Sequence, residues 1–197
     1  MRIVAITGLP GSGKSEAVRI AREHGLPVVR MGDFVIDEVR RRGLPIEESA
    51  IGPVATGMRA DHGDDIWARR TIEAIRSGRV SGIPSDEPLV IVDGVRSPAE
   101  VERFRADLGK EFILVAVDAP ETVRHERLLG RRRHDDVRDV QEAKARDDRE
   151  RRWGVEEVMS EADHILRNDS GLETFRKKAD DLLDRLVARA RPQVGNE

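Results

Sequence analysis

The sequence contains no cysteine and no tyrosine, and only four phenylalanines and two tryptophans. Without cysteine there is no disulfide framework, no thiolate metal site and no thiol nucleophile. So few aromatic rings leave little to stack on exposed bases, which argues against a nucleic-acid partner. No apolar run approaches the ~18 residues of a membrane-spanning helix, and Met1-Arg2 leads straight into a strand pattern where a signal peptide would be basic and then apolar. A cytoplasmic protein with no membrane contact is expected. Net charge is nearly absent too: 35 basic and 38 acidic residues leave −3, so no whole-molecule field marks a polyanion partner. Charge must be judged locally. Lysine occurs only at positions 14, 110, 144, 177 and 178, and the arginine that supplies the rest suits bidentate phosphate binding as well as it suits a GC-rich genome.

What is present is GLPGSGKS from Gly8 to Ser15. It satisfies GxxxxGK[ST] at every fixed position, follows the apolar run Ile3–Ile6 and leads into the helical pattern Ala17, Val18, Ile20, Ala21. Gly8, Gly11 and Gly13 allow backbone N–H groups to converge on an anion, with Pro10 and Ser12 between them. The helix starting near Lys14 adds its unpaired N–H groups and positive dipole end. In such a loop Lys14 reaches the β and γ phosphates of ATP, Ser15 ligates Mg²⁺, and Glu16 lies in the first helical turn beside them.

Further apolar runs at 27–31, 89–92, 112–117 and 164–166 alternate with helical patterns, which specifies an α/β fold: a doubly wound, five-stranded parallel sheet of the P-loop NTPase type. At this length one domain is expected, spanning residues 1–190 with a tail at 191–197. Ligands of such sheets bind beyond the carboxyl ends of the strands, so the loops at Gly8, Asp33, Asp93 and Asp118 should gather on one edge. A helix is expected from Phe34 to Arg42, a weak and interrupted one from Ile46 to Gly63, and a third from about residue 64 to Ser77. Gly78–Pro88 reads as a loop. Ser97-Pro98-Ala99-Glu100 has the chemistry of a capped helix start. The stripe Leu172, Phe175, Ala179, Leu182, Leu183, Leu186, Ala190 is core and carries no chemistry.

Asp93 closes an apolar strand in the position of a metal-holding acid opposite Ser15, and Gly94 and Arg96 follow it. Arg124, Arg127, Arg131, Arg132, Arg133 and Arg138 crowd into fifteen residues, with Arg146 and Arg149 beyond. Like charges so concentrated repel unless something anionic sits among them. Arg124, Arg127 and Arg131 share one helical face and could close on a polyphosphate, although Asp135, Asp136 and Asp139 leave a salt-bridge network open. His62, His125, His134 and His164 are dispersed among charges and read as surface or lid groups. No cluster has the spacing of a resident metal site.

With GLPGSGKS, MGDFVIDEVRRRG, VIVDGVRS, RHERLLGRRRHDD and ARDDRERRWG in view, the chain resembles the nucleoside-monophosphate-kinase branch of P-loop proteins. It looks most like an archaeal adenylate-kinase-related family and is also similar to dephospho-CoA kinases. The resemblance covers about residues 1–190. It implies an acceptor-binding helical insert at about 33–78 and a lid at about 130–150. It implies that Asp33 opens the acceptor side, that Arg96 faces an acceptor phosphate, that Arg127, Arg131, Arg133 and Arg146 are lid arginines, and that Asn168 lies near the adenine. The branch usually has an acceptor-binding arginine three residues after the Asp of Gly32-Asp33, where this chain has Ile36; Arg40 or Arg59 is left to replace it.

The expected activity is phosphoryl transfer from ATP with Mg²⁺ to a small phosphorylated acceptor, a nucleoside monophosphate before others. Two alternatives stay open: a hydroxyl kinase with Asp33 as base, and an ATPase switch acting on a macromolecular partner. Nothing in the residues chooses between monomer and homo-oligomer.

Overall fold

The computed structural model describes residues 1–84, 86–130 and 139–190. Its centre is a five-stranded parallel sheet of β1 (Arg2–Thr7), β2 (Val28–Arg30), β3 (Leu89–Asp93), β4 (Phe112–Asp118) and β5 (His164–Arg167) in the order β2-β3-β1-β4-β5. Every pairing is parallel. The inner strands β1, β3 and β4 are apolar runs because both faces are covered, whereas the edge strand β5, expected to be buried, leaves Ile165 54% exposed; the alternation within β1 divides its residues between the two faces. Ile3 and Ala5 face one cluster, packed by α2 (Met31–Arg41), α3 (Glu48–His62), α4 (Ile66–Arg76), α5 (Pro98–Leu108) and α8 (Val155–Ser160). Val4 and Ile6 face the other, closed by α1 (Lys14–Glu23) and α9 (Leu172–Ala190). The α9 stripe lies there as expected, with Phe175, Ala179, Leu182, Leu183 and Leu186 buried. The remaining helices, α6 (Glu121–Leu129) and α7 (Val140–Arg152), stand above the carboxyl edge.

Sequence chemistry fixes several boundaries. Ser97 accepts a hydrogen bond from the backbone N–H of Glu100 and Glu100 accepts one from that of Ser97, a reciprocal capping box with Pro98 in the first turn of α5. The helix expected from Phe34 begins at Met31, so Gly32-Asp33 forms its first turn, where the Asp33 charge meets the positive dipole end. The weak stretch 46–63 is a continuous helix from Glu48 to His62 that contains Pro53 near its start. Propensity undervalued it because burial of Val54, Ala55 and Met58 in the core cluster shared with α2, α4 and the sheet outweighs the cost of Gly52 and Gly57. Glycine is required at Gly154, between α7 and α8, where φ is 93° and an added Cβ would lie 2.6 Å from Pro98 Cδ. Among the described residues, no helix is long and apolar enough to cross a membrane.

Candidate functional site

The carboxyl ends of β1, β3 and β4 meet because β1 is paired on both sides, with Ile6 opposite Asp93 and Thr7 opposite Ala116. The ladder extends past the strands: Gly94 N–H donates to Ile6 O and the Thr7 hydroxyl to Val95 O at 2.8 Å. Between Thr7 and Lys14 the loop turns tightly, with Gly13 at φ 111°. A Cβ on Gly11 would lie 2.4 Å from Arg124 O, and one on Gly13 would lie 2.2 Å from Asn168 Nδ2, so at both positions neighbours reach the backbone itself.

A cavity of about 170 Å³ opens over this loop. Pro10, Gly11, Gly13, Lys14 and Ser15 line it from below, Arg30 and Gly32 from β2 and α2, Asp93, Gly94 and Arg96 from the end of β3, and Arg146 and Glu150 from α7. Four cationic side chains therefore face two carboxylates, the charge balance of a site for a polyanion that arrives with a metal ion. Lys14 Nζ donates to Gly8 O and, at 2.9 Å, to Leu9 O. Burial pulls its ammonium down to about 8; Glu150 and Asp93 oppose that shift, while Arg96 and Arg146 add to it. The donor set fits Mg²⁺ carried by a nucleotide: the Ser15 hydroxyl is exposed to the cavity and Asp93 lies across from it, both hard oxygen ligands. Among the described residues no group of three acidic or imidazole side chains could hold a metal by itself.

Arg96 also belongs to a second cationic centre. Its guanidinium lies 5.5 Å from the ring centre of Trp153, and those of Arg59 and Arg149 lie 5.2 and 5.9 Å from the same ring. Arg59 is only 10% exposed; its Nη2 donates to Glu100 Oε1 at 2.8 Å, whereas its Nε and Nη1 are buried without a partner among the described residues. The capping-box glutamate thus serves twice, since Oε2 also accepts from Arg96 N–H at 2.7 Å.

Several expected site residues lie elsewhere. Arg40 is on the outer face of α2, bonded to Asp37, and Asp33 is 57% exposed with Arg30 3.8 Å away, so neither lines the cavity. Glu16 is turned to Arg19 and Arg176, which hold its carboxyl below the usual range, Arg19 first, and it faces α9 instead of the loop. Arg124 is not on a phosphate-binding face: it is buried, paired with Asp147 through both terminal nitrogens, and donates to Pro10 O. The shared spacing does not give Arg124 and Arg127 a shared role: Arg124 pairs with Asp147 of α7, while Arg127 reaches Ser12 and Asn168. His125 is buried as well, its Nε2 3.0 Å from Asp147 Oδ2, and is no surface group. Burial pushes the Asp147 carboxyl up, but Arg124 and then His125 outweigh it and hold it below the ordinary value. Asn168 braces the loop, donating to Ser12 O at 2.7 Å and accepting from Arg127 at 3.1 Å. Arg127 likewise reaches Ser12 O and Asn168 O on that side. Arg131 and Arg133, with Arg132, His134, Asp135, Asp136 and Arg138, lie outside the described residues.

Arg30, Glu150 and Trp153 were not expected. Arg30 ends a strand at the carboxyl edge, a signal the sequence does carry. Glu150 and Trp153 sit in a run of mixed charge that gives no periodic cue to which residues turn inward. A larger cavity of about 460 Å³ between α2 and α4 is lined by charges that neutralise one another: Glu38 is bonded to Arg41 and Arg70 and held well below the usual carboxylate range, by Arg41 first.

Residues 7–144 match the model of the AAA domain family. A UPF0200 protein of Methanosarcina mazei is 45% identical over 183 residues, covering 93% of this chain and 94% of its own length. A UPF0200/UPF0201 protein of Archaeoglobus fulgidus is 43% identical over 187 residues; the chain spans only 56% of that relative. The shikimate kinase from Acinetobacter baumannii in complex with shikimate superposes with a TM-score of 0.58 at 15% identity over 99% of this chain and 96% of its own. A gluconokinase from Sinorhizobium meliloti 1021 gives 0.53 at 18% over 95% and 94%. These structures show the P-loop kinase fold. Identity to the Methanosarcina relative reaches far beyond the phosphate loop, across more than nine-tenths of the chain, and the protein belongs to the UPF0200 family of P-loop proteins.

Proposed function

We propose that this protein transfers the γ-phosphoryl group of ATP, bound with Mg²⁺, to a small phosphorylated acceptor, a nucleoside monophosphate before others. The observation that carries this reading is Arg96, which lines the phosphate cavity and also lies over Trp153 beside Arg59. A second anion in contact with the first would meet the Arg96 guanidinium, with the charge of Arg59, paired to Glu100, set behind it on the same Trp153 ring. Arg59 thus supplies charge where Ile36 cannot. An anionic acceptor needs no general base, so catalysis rests on positioning and charge neutralisation by Lys14, Arg96 and Arg146. When bound, Mg²⁺ draws charge from the transferring group, and Ser15 and Asp93 are the residues that would hold it. Arg127, Arg131 and Arg133 complete the enclosure of the polyphosphate in this reading.

The hydroxyl-kinase alternative requires Asp33 as base, and an exposed carboxylate engaged with Arg30 outside the cavity does not favour it. The deciding experiment offers Mg-ATP with a panel of nucleoside monophosphates and with dephospho-CoA, and reads phosphorylated product. Product from a monophosphate supports the reading; ADP without product across the panel would replace it with an ATPase.

A further inference from the structure

Among the described residues, buried carboxylates are neutralised by arginine, with one exception. Glu38 is bonded to Arg41, Arg42 and Arg70, Glu100 to Arg59, and Asp147 to Arg124. Glu150 is 4% exposed, yet its carboxylate makes no hydrogen bond or ion pair with a described residue. It lines the cavity over the phosphate loop together with Lys14, Ser15 and Asp93. The Lys14 ammonium feels its charge more strongly than that of Asp93.

An acid in that place opposes the ligand the cavity is built for. Carboxylate and polyphosphate repel across a short distance in a partly dry site unless a cation lies between them. Two of the four cations that line the cavity have other partners: Lys14 Nζ is held by Gly8 O and Leu9 O, and Arg30 leans towards Asp93 at 3.9 Å. Ser15, Asp93 and Glu150 bring three hard oxygen donors to one small space from three separate elements, α1, β3 and α7. Magnesium is satisfied by one or two carboxylates plus a hydroxyl, phosphate oxygens and water.

We propose that Glu150 is a further ligand, direct or through one water, of the Mg²⁺ that enters with the nucleotide, so that the metal fastens α7 to the phosphate loop. This rests on the kinase reading above. Arg146 and Glu150, one turn apart on α7, both line the cavity, so an ion held by Glu150 would lie on the same side as the Arg146 guanidinium. Ser15 and Asp93 would then hold the ion together with Glu150 of α7.

The test uses the full chain and Mn²⁺ with ADP as probes, following metal binding by electron paramagnetic resonance and ADP binding in EDTA by calorimetry. In Glu150→Gln, which keeps the shape of the side chain, Mn²⁺ should bind the protein–ADP complex at least tenfold more weakly, while ADP affinity in EDTA does not fall and rises as the repulsion from the carboxylate is removed. Glu150→Asp should restore part of the loss. Mn²⁺ affinity within twofold of native in Glu150→Gln overturns the proposal, whether or not turnover falls; if turnover falls with metal affinity intact, Glu150 is instead a proton acceptor or an orienting group. An equal loss of metal-free ADP affinity also overturns it, since the residue would then only support the loop. Failure of the native protein to bind either probe would bring down the kinase reading itself.

Discussion

Arg124 and Asp147 form a buried two-point ion pair, Nη1 to Oδ1 at 2.7 Å and Nη2 to Oδ2 at 2.6 Å, and Arg124 Nη1 also donates to Pro10 O at 3.0 Å. The pair joins α6, α7 and the phosphate loop into one unit. The cost of removing one partner is the charge left behind, not the loss of the attraction.

Arg124→Ala or Asp147→Ala should therefore destabilise the fold by roughly 3–5 kcal/mol. The double replacement Arg124→Met with Asp147→Leu should cost clearly less than either single change. Urea unfolding of the three variants checks this; single-variant losses below about 1 kcal/mol, the range of an exposed pair, would show that the pair is not buried in solution.

Glycine substitutions should divide sharply by position. At Gly13→Ala the left-handed φ and the Asn168 amide 2.2 Å from the new Cβ leave the loop no accommodation, and ATP binding should be lost. Gly57→Ala, in mid-α3 with nothing within 4 Å of the new atom, should stabilise by ~0.5–1 kcal/mol. Calorimetry for the first and thermal unfolding for the second provide the comparison.

Lys14 imposes a pH dependence of defined sign. Its folded-state pKa of about 8 lies below the ordinary 10.5, so between those values the unfolded chain binds more protons and stability rises with pH. The penalty for burying the ammonium, ~3 kcal/mol by the size of the shift, is present in full below about 8 and gone above 10.5. Lys14→Met should be more stable than the native chain at pH 7, with the difference shrinking towards pH 10. Unfolding free energies measured across that range decide it, and a difference independent of pH would contradict the burial of Lys14.

If the proposed acceptor site lies beside Arg59, Arg59→Met should raise the acceptor KM by ten-fold or more while ATP affinity stays within twofold, since Arg59 is paired with Glu100 and does not line the cavity over the phosphate loop. Arg40→Met, on the exposed face of α2, should leave both unchanged. Initial rates over a matrix of ATP and acceptor concentrations separate the two constants.

The sheet and the loop were legible because their signals are local. Apolar runs, a glycine pattern and the capping chemistry of Ser97-Pro98-Ala99-Glu100 each act within a few residues, and α5 begins where that chemistry says. Arginines were legible as a group but not in their roles. Whether Arg124 meets a phosphate or Asp147, or Arg59 replaces the missing group at Ile36, depends on partners 23 and 41 residues away, and no spacing along the chain encodes that. Glu150 was hidden for the same reason: in a helix as polar as α7, inward and outward faces carry the same residue types.

The alignment of Ile6 with Asp93 along the central ladder has a consequence for how this enzyme can diversify. A shift of a single residue would turn Asp93 to the opposite side of the sheet and put an aliphatic group in its place. Distances between the loop and that acid are therefore quantised by backbone pairing and immune to gradual drift. Helices α2 to α4 are tied to the sheet by side-chain packing and not by a ladder, so their positions can adjust in small steps where that of Asp93 cannot.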